Sequence, residues 1–300
     1  MTEAGCCGVP FAPELFSAPA LQRVLDKYRG ERLRSVPFFD GLMTGEIDAL
    51  LESFAGVPEV HHPVRGRIKG ETAFRRFVTD TTSWLAERSV EVEHVNFLIT
   101  EPRRVEEVVL HLDGDGGRVG LPFALACDHE EEDERIVELR LYFSTRPLTG
   151  RHENRPPLLQ PTLDLREPDV VGEYQRALAT GDVEAILAAF EPDGYMHEAA
   201  GDGDVHRGTD ELRAHYELLL SDGGGISIEH CAVIDDGRAC ALEYNVVARG
   251  RTELLPQAGL AVYVRGDSGK FAAARIYGAE GSNRSTQWSC QAGGSQGSPK

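Results

Sequence analysis

The stretches GEIDALLESFAGVPEVHH, Gly45 to His62, and GDVEAILAAFEPDGYMHE, Gly181 to Glu198, can be laid over one another at an offset of 181 − 45 = 136. Five positions are then identical: Gly45/Gly181, Ala49/Ala185, Leu51/Leu187, Phe54/Phe190 and His61/His197. The same offset pairs VEVEH (Val90 to His94) with ISIEH (Ile226 to His230), and an adjustment by one residue pairs Arg140 and Tyr142 with Arg275 and Tyr277. One sequence unit is used twice.

Working outward, each copy reads in the same order. In the second, Val170, Val171, Tyr174 and Leu178 recur at helical spacing after Pro168, and Asp182 is placed to cap a short helix carrying Val183, Ile186, Leu187 and Phe190. A strand is expected around Tyr195 to Glu198, then a glycine-rich loop, then a helix capped by Thr209 with Leu212, Tyr216, Leu219 and Leu220 on one face. Four strands follow, at 226–234, 238–249, 253–265 and 271–278, with hairpin turns at Asp236-Gly237 and Asp267-Ser268-Gly269. The first copy repeats the series, its helix 70–87 carrying Phe74, Phe77, Val78, Thr81 and Leu85. Helices ahead of an antiparallel meander describe an α+β fold. Expected boundaries are a tail over 1–18, a first domain over 19–145, a proline-rich linker over 146–167, a second domain over 168–280 and a tail rich in Ser, Gly and Gln over 281–300.

Composition narrows the function. The chain of 300 residues is 41% hydrophobic and 27% charged, the balance of a globular protein, and its apolar runs fall short of a membrane span. Acidic residues exceed basic ones by 49 − 31 = 18, with a dense run from Asp128 to Glu134, so its field repels phosphate backbones and anionic lipid. Neither a nucleic-acid nor a membrane partner is expected. The cysteines at 6, 7, 127, 231, 240 and 290 have no zinc-type spacing and are too sparse for a disulfide scaffold. Together with an N-terminus that does not read as a signal peptide, they point to a cytoplasmic protein. No nucleophile elbow, phosphate loop or dinucleotide fingerprint is present, and His197-Glu198, His61-His62 and Asp202/Asp204/His206 lack the spacing or ligand density of metal sites. No cofactor and no metal are expected.

The unit resembles the nuclear-transport-factor-2-like superfamily, in its branch of ketosteroid isomerases and SnoaL-like polyketide cyclases. The resemblance rests on EYQRALATGDVEAILAAFEPDGYMHE (Glu173 to Glu198), HRGTDELRAHY (His206 to Tyr216) and ARIYG (Ala274 to Gly278), and it covers the first half more weakly. It implies two tandem cone-shaped domains, each a curved antiparallel sheet wrapped round N-terminal helices and enclosing an apolar cavity. It also places Tyr174 where isomerases of the family hold an oxyanion and Glu198 where they shuttle a proton. The third position, an acid in the family, falls near Ala261 in LAVYV, which departs from the isomerase pattern.

Strand alternation sets Met196 beside Glu198 on the cavity face and turns Tyr195 and His197 away. With the family's cavity face carried across, Leu242, Tyr244 and Val246 point inward with Gln257, while Glu243 and Asn245 point outward. Met196, Leu242, Tyr244, Val246 and Gln257 are thus the expected substrate-binding residues around catalytic Glu198 and Tyr174. In the first copy, Phe38 takes the tyrosine position and His62 the carboxylate position, so that copy reads as degenerate or differently specialised, with His62 as a contact residue. Family members commonly pair through the outer faces of their sheets. Arg140, Tyr142, Arg275 and Tyr277 are therefore expected at an internal pseudo-dimer interface, with further homodimerisation left open.

Two functions fit. One is cofactor-free proton transfer beside a carbonyl or ring of a small, largely apolar organic molecule, of the isomerase, cyclase, dehydratase or hydrolase kind, with Glu198 moving the proton and Tyr174 and Tyr244 donating to oxygen. The alternative is a ligand-binding or assembly module without chemistry. The first requires Tyr174 and Glu198 to converge on one enclosed pocket.

Overall fold

The computed structural model describes residues 42, 45–100, 102–114, 116–130, 135–150, 154–198 and 205–278. Both predicted tails, Phe38, Asp202, Asp204, Cys6, Cys7 and Cys290 lie outside those residues. The first unit runs α1 (Ile47–Glu52), β1 (Glu59–His62), β2 (Gly66–Lys69), α2 (Glu71–Ala86), β3 (Glu91–Thr100), β4 (Arg103–Gly114), β5 (Gly117–His129) and β6 (Ile136–Tyr142), followed by the single turn α3 (Arg146–Thr149). The second runs α4 (Asp169–Thr180), α5 (Val183–Ala188), β7 (Phe190–Glu198), β8 (Val205–Arg207), α6 (Gly208–Leu219), β9 (Ile226–Asp235), β10 (Ala239–Arg249), β11 (Thr252–Arg265) and β12 (Phe271–Tyr277).

The sheets have the orders β2-β1-β6-β5-β4-β3 and β8-β7-β12-β11-β10-β9, the same topology used twice. Within each sheet the pairings are antiparallel except for β1 with β6 and β7 with β12. Those two are parallel because the last strand of each meander returns beside the first strand of its unit, running the same way.

Local chemistry accounts for the punctuation. The Asp182 carboxylate accepts from the Ala185 amide at 3.1 Å and starts α5, leaving Gly181 at φ 74° to end α4. A Cβ at Gly181 would also lie 2.7 Å from the Gly224 carbonyl oxygen, so only glycine fits there. Thr209 does not cap α6: the helix begins at Gly208, one residue earlier, and Glu211 reaches back to accept from the Arg207 amide at 2.8 Å. In α2, Phe74, Phe77, Val78 and Leu85 are buried against the sheet, each large side chain contributing about 1.5–3 kcal/mol, and Thr81 is half-buried at the helix edge.

The outer faces of the two sheets pack on each other. Leu98, Val105 and Ala126 of the first unit share one buried cluster with Leu260, Val262 and Ala273 of the second. Arg140 donates to Glu243 through Nε at 2.6 Å and Nη2 at 2.8 Å, and the Tyr142 hydroxyl donates to the same carboxylate at 2.7 Å. Reciprocally, Arg275 donates to Glu107 at 2.7 and 2.5 Å, and Tyr277 donates to it at 2.8 Å. Glu107 and Glu243 are 243 − 107 = 136 residues apart, the repeat offset, so the exchange follows an internal two-fold relation. Arg140, Arg275 and Glu107 are 0% exposed and Glu243 1%, which leaves each charge wholly dependent on its partners.

The segment between the units is held along the strands. Arg155 donates to the carbonyls of Leu141 and His61, lies 4.9 Å from the Tyr142 ring centre, and accepts from the Ala258 amide at 2.9 Å through its own carbonyl. Further on, Leu159 accepts from Asn245 at 3.2 Å and the Thr162 amide donates to His230 at 2.9 Å. Among the described residues, no helix is long and apolar enough to cross a membrane.

Candidate functional site

Strand β7 delivers the site in the second unit. It runs parallel to β12 with Met196 opposite Ala274 and Glu198 opposite Ile276. Met196, Ala274 and Ile276 belong to the interior cluster of the cone, so Glu198, two residues beyond Met196, shares the interior face. Tyr195, Ala273 and Tyr277 belong to the cluster between the sheets. On β10, Leu242, Tyr244 and Val246 face the interior opposite Ala261, Gly259 and Gln257 of β11.

That interior is packed with rings. Tyr174 on α4 is buried among Phe190, Tyr216, Tyr263 and Phe271, with ring centres 5.4–6.4 Å apart, and its hydroxyl shares a 2.9 Å hydrogen bond with that of Tyr216. A pair of hydroxyls uses one of its two protons internally and keeps the other to donate. Burial pushes the Tyr174 hydroxyl up to about 12, its bond to Tyr216 opposing and the Glu198 charge adding, so it stays protonated. Tyr216 and Tyr244 are raised for the same leading reason, with Glu198 again contributing.

Glu198 opens the other way. With His206, His215, Arg249, Leu219 and Ile226 it lines a cavity of about 400 Å³ beside the C-terminal end of α6. His206 and His215 lie with ring centres 4.2 Å apart. Burial, reinforced by His206, lowers His215 to about 3, so it is neutral near pH 7. Within reach of one ligand the cavity therefore sets a carboxylate, two imidazoles and a guanidinium.

Of the residues expected from the sequence, Glu198 lines this cavity. Tyr174, Met196, Leu242, Tyr244 and Val246 are packed in the ring-filled core behind it, and Gln257 is half-buried on β11. His62 sits in the first unit and lines a separate cavity there. Sequence reasoning missed His215 and Arg249 as neighbours of Glu198 and considered His206 only as a metal ligand, which it set aside. It also missed Tyr263, which alternation could have found, since it shares the strand face of Ala261. Tyr263 accepts from Gln175 at 2.7 Å, and Gln175 is 3.3 Å from the His230 ring, which pairs with Glu167.

One group of potential metal ligands occurs among the described residues: Glu59, His61 and Glu138, with ligand atoms within 4.8 Å of one another. Cations already occupy its carboxylates. Lys69 lies 2.7 Å from Glu59, which Arg67 also binds and whose pKa is thereby lowered to about 2, and Arg140 lies 3.0 Å from Glu138.

The second unit, with α4 filling its cone behind Glu198, has known counterparts in sequence. Residues 171–274 match the SnoaL-like domain family. The match begins within α4 and ends within β12, and the first unit, outside it, repeats the same strand order. Similar solved structures include the epoxide hydrolase/cyclase-like enzyme SalBIII of pyran ring formation in the polyether salinomycin (20% identity, 37% of this chain and 88% of that chain, TM-score 0.32). They also include a SnoaL-like protein of unknown function from Burkholderia thailandensis (21%, 36% and 90%, 0.30). A third is a ketosteroid-isomerase-like protein from Catenulispora acidiphila in complex with trimethylamine (13%, 37% and 86%, 0.32). No curated protein matches the chain.

Proposed function

We propose that the SnoaL-like domain binds a small organic molecule in the cavity at Glu198 and transfers a proton on it without a cofactor, in a reaction of the isomerase, cyclase or lyase kind. The observation that carries this reading is the placement of Glu198 on the cavity wall together with His206, His215 and Arg249. The carboxylate removes a proton from carbon beside a carbonyl, the electron pair moves to the carbonyl oxygen, and Glu198 returns the proton to another carbon. Tyr174 and Tyr244, the donors expected for that oxygen, lie in the ring-filled core behind the cavity wall and meet only a ligand that extends past Glu198. Each is held neutral by burial, and the Tyr174–Tyr216 pair has one proton to give. Met196, Leu242 and Val246 pack with the tyrosines behind that wall, and Gln257 is half-buried on β11.

A second reading, binding without chemistry, is favoured by one observation: the Tyr174 hydroxyl is bonded to Tyr216 and lies in the packed core instead of on the cavity lining. Deuterium exchange at the α-carbon of cyclic ketones in D2O, followed by proton NMR, separates the two. For proton transfer, Glu198→Gln lowers the enzyme-dependent exchange by about 100-fold or more while ketone binding changes by less than about 3-fold. Equal exchange in the two proteins, or none above buffer in the wild type, leaves binding alone.

A further inference from the structure

Residues 65–76, RGRIKGETAFRR, carry five cations and one acid in a chain whose net charge is −18. Alternation along β2, the edge strand of its sheet, sets Arg67 and Lys69 on one face and turns Ile68 to the other, where it is buried. Arg75 and Arg76 follow on α2. The basic residues of this segment are thus gathered by a strand and a helix that adjoin.

Between β2 and the first turns of α2 lies an open cavity of about 700 Å³, lined by Arg65, Arg67, Lys69 and Arg76 together with Glu71 and Asp80. The four cations divide two carboxylates between them. Arg67 and Lys69 both bind Glu59, the lysine at 2.7 Å, while Arg65 and Arg76 meet Asp80 at 3.2 and 3.8 Å. Glu71 is paired separately with Arg75 at 2.8 Å, and Arg75 also reaches Asp48, which is outside the lining. The cavity therefore keeps a surplus of 4 − 2 = 2 positive charges. The amides of Glu71, Thr72 and Ala73 add donors, since they have no intrahelical partner and Gly70 supplies no capping side chain.

The net charge of the whole chain repels an extended polyanion, but beyond about 8–10 Å that field is screened by salt, so at contact distance the local surplus governs. Guanidinium forks suit the oxygens of a phosphate. The volume far exceeds that of a lone phosphate ion, and Ile68, Ala73 and Phe77 give it apolar lining beside the cations.

We infer that this cavity is a binding site for the dianion of a small phosphate monoester, its phosphate held by Arg65, Arg67, Lys69 and Arg76 and its organic part set against the apolar lining. The site lies in the first unit and does not depend on the chemistry proposed at Glu198.

Calorimetric titration of the full chain at about pH 8, where a phosphate monoester is a dianion, tests this with phenyl phosphate, phenyl sulfate and inorganic phosphate. Phenyl sulfate has the same shape with one charge fewer. Phenyl phosphate should bind about 5-fold or more tightly than either comparator. Arg76→Gln, at an 84% exposed side chain, should weaken it about 3-fold, and Asp80→Asn should strengthen it about 3-fold. A damaged fold cannot produce the second effect. Arg213→Gln, which changes net charge on α6 of the second unit, should leave the affinity within about 2-fold. No binding of phenyl phosphate, parity with phenyl sulfate or with inorganic phosphate, or indifference to both Arg76→Gln and Asp80→Asn overturns the assignment. Because these substitutions lie in the first unit, failure here leaves the Glu198 reading standing.

Discussion

His62 and Glu198 end equivalent strands, β1 and β7, and each lines the cavity of its own unit. The same topological position therefore carries an imidazole in one cone and a carboxylate in the other. What differs is the surroundings. His62 is enclosed by Phe77 and Phe143, whereas Glu198 opens on His206, His215 and Arg249.

Burial, with Arg65 and Arg155 adding repulsion, lowers His62 to about 3 from an ordinary 6.5. The unfolded chain thus takes up this proton first as pH falls. His62's contribution to stability is complete above pH 6.5 and is lost progressively as pH falls from 6.5 towards 3. At pH 5 the loss is up to about 2 kcal/mol. Urea midpoints of wild type and His62→Phe, compared at pH 7 and pH 5, should show a smaller acid-induced drop in the variant; parallel drops would contradict the burial of the ring.

Arg275→Met leaves Glu107 buried with its main counter-charge gone and should cost about 3–5 kcal/mol in chemical denaturation. Burial raises the Glu107 carboxyl, but the charge and hydrogen bonds of Arg275 outweigh it and hold the group below its ordinary range. The double change Arg275→Met/Glu107→Leu should recover most of the loss, since an apolar pair needs no compensation. Recovery of less than half would show that Tyr195 and Tyr277 depend on the ion pair as well.

The Tyr174–Tyr216 bond predicts non-additive substitutions. Tyr174→Phe or Tyr216→Phe each leaves one buried hydroxyl without its partner and should cost about 1–3 kcal/mol. The double variant should cost less than the sum. A double-mutant cycle from urea denaturation checks this, and additive costs would mean that the two hydroxyls do not depend on each other.

Asp182→Ala removes the acceptor for the Ala185 amide and should lower stability by about 1 kcal/mol, while Asp182→Asn stays within a few tenths. Thermal or urea denaturation of the two variants makes the comparison. Equal losses would assign the effect to charge at the helix start instead of to capping.

Much of the fold was legible in the amino-acid order because the deciding information is local and repeated. The offset that pairs Gly45 with Gly181 exposes the doubling, and side-chain alternation along β10 puts Leu242 and Tyr244 on one face whatever lies opposite. Asp182 announces a helix start through a contact three residues long. Thr209 did not behave this way, because Glu211 caps α6 from within the helix.

Partnerships across long separations depended on tertiary structure. Arg140 and Arg275 mark a strand face in the sequence, but their counter-charges Glu243 and Glu107 lie on other strands, 103 and 168 residues away. The neighbours of Glu198 come from β8, α6 and β10, whose relative positions follow from sheet closure and not from spacing. The sequence by itself determined the order and faces of the main helices and strands, since these follow from propensity and period, but not the short strands β2 and β8 or the start of β7 at Phe190, which was expected on the preceding helix. Only the folded chain decided which cone is filled with rings at Tyr174, where Glu198 opens, and that the Val64 and Arg65 amides fix the His62 ring. These depend on the volumes and charges brought together when the strands close.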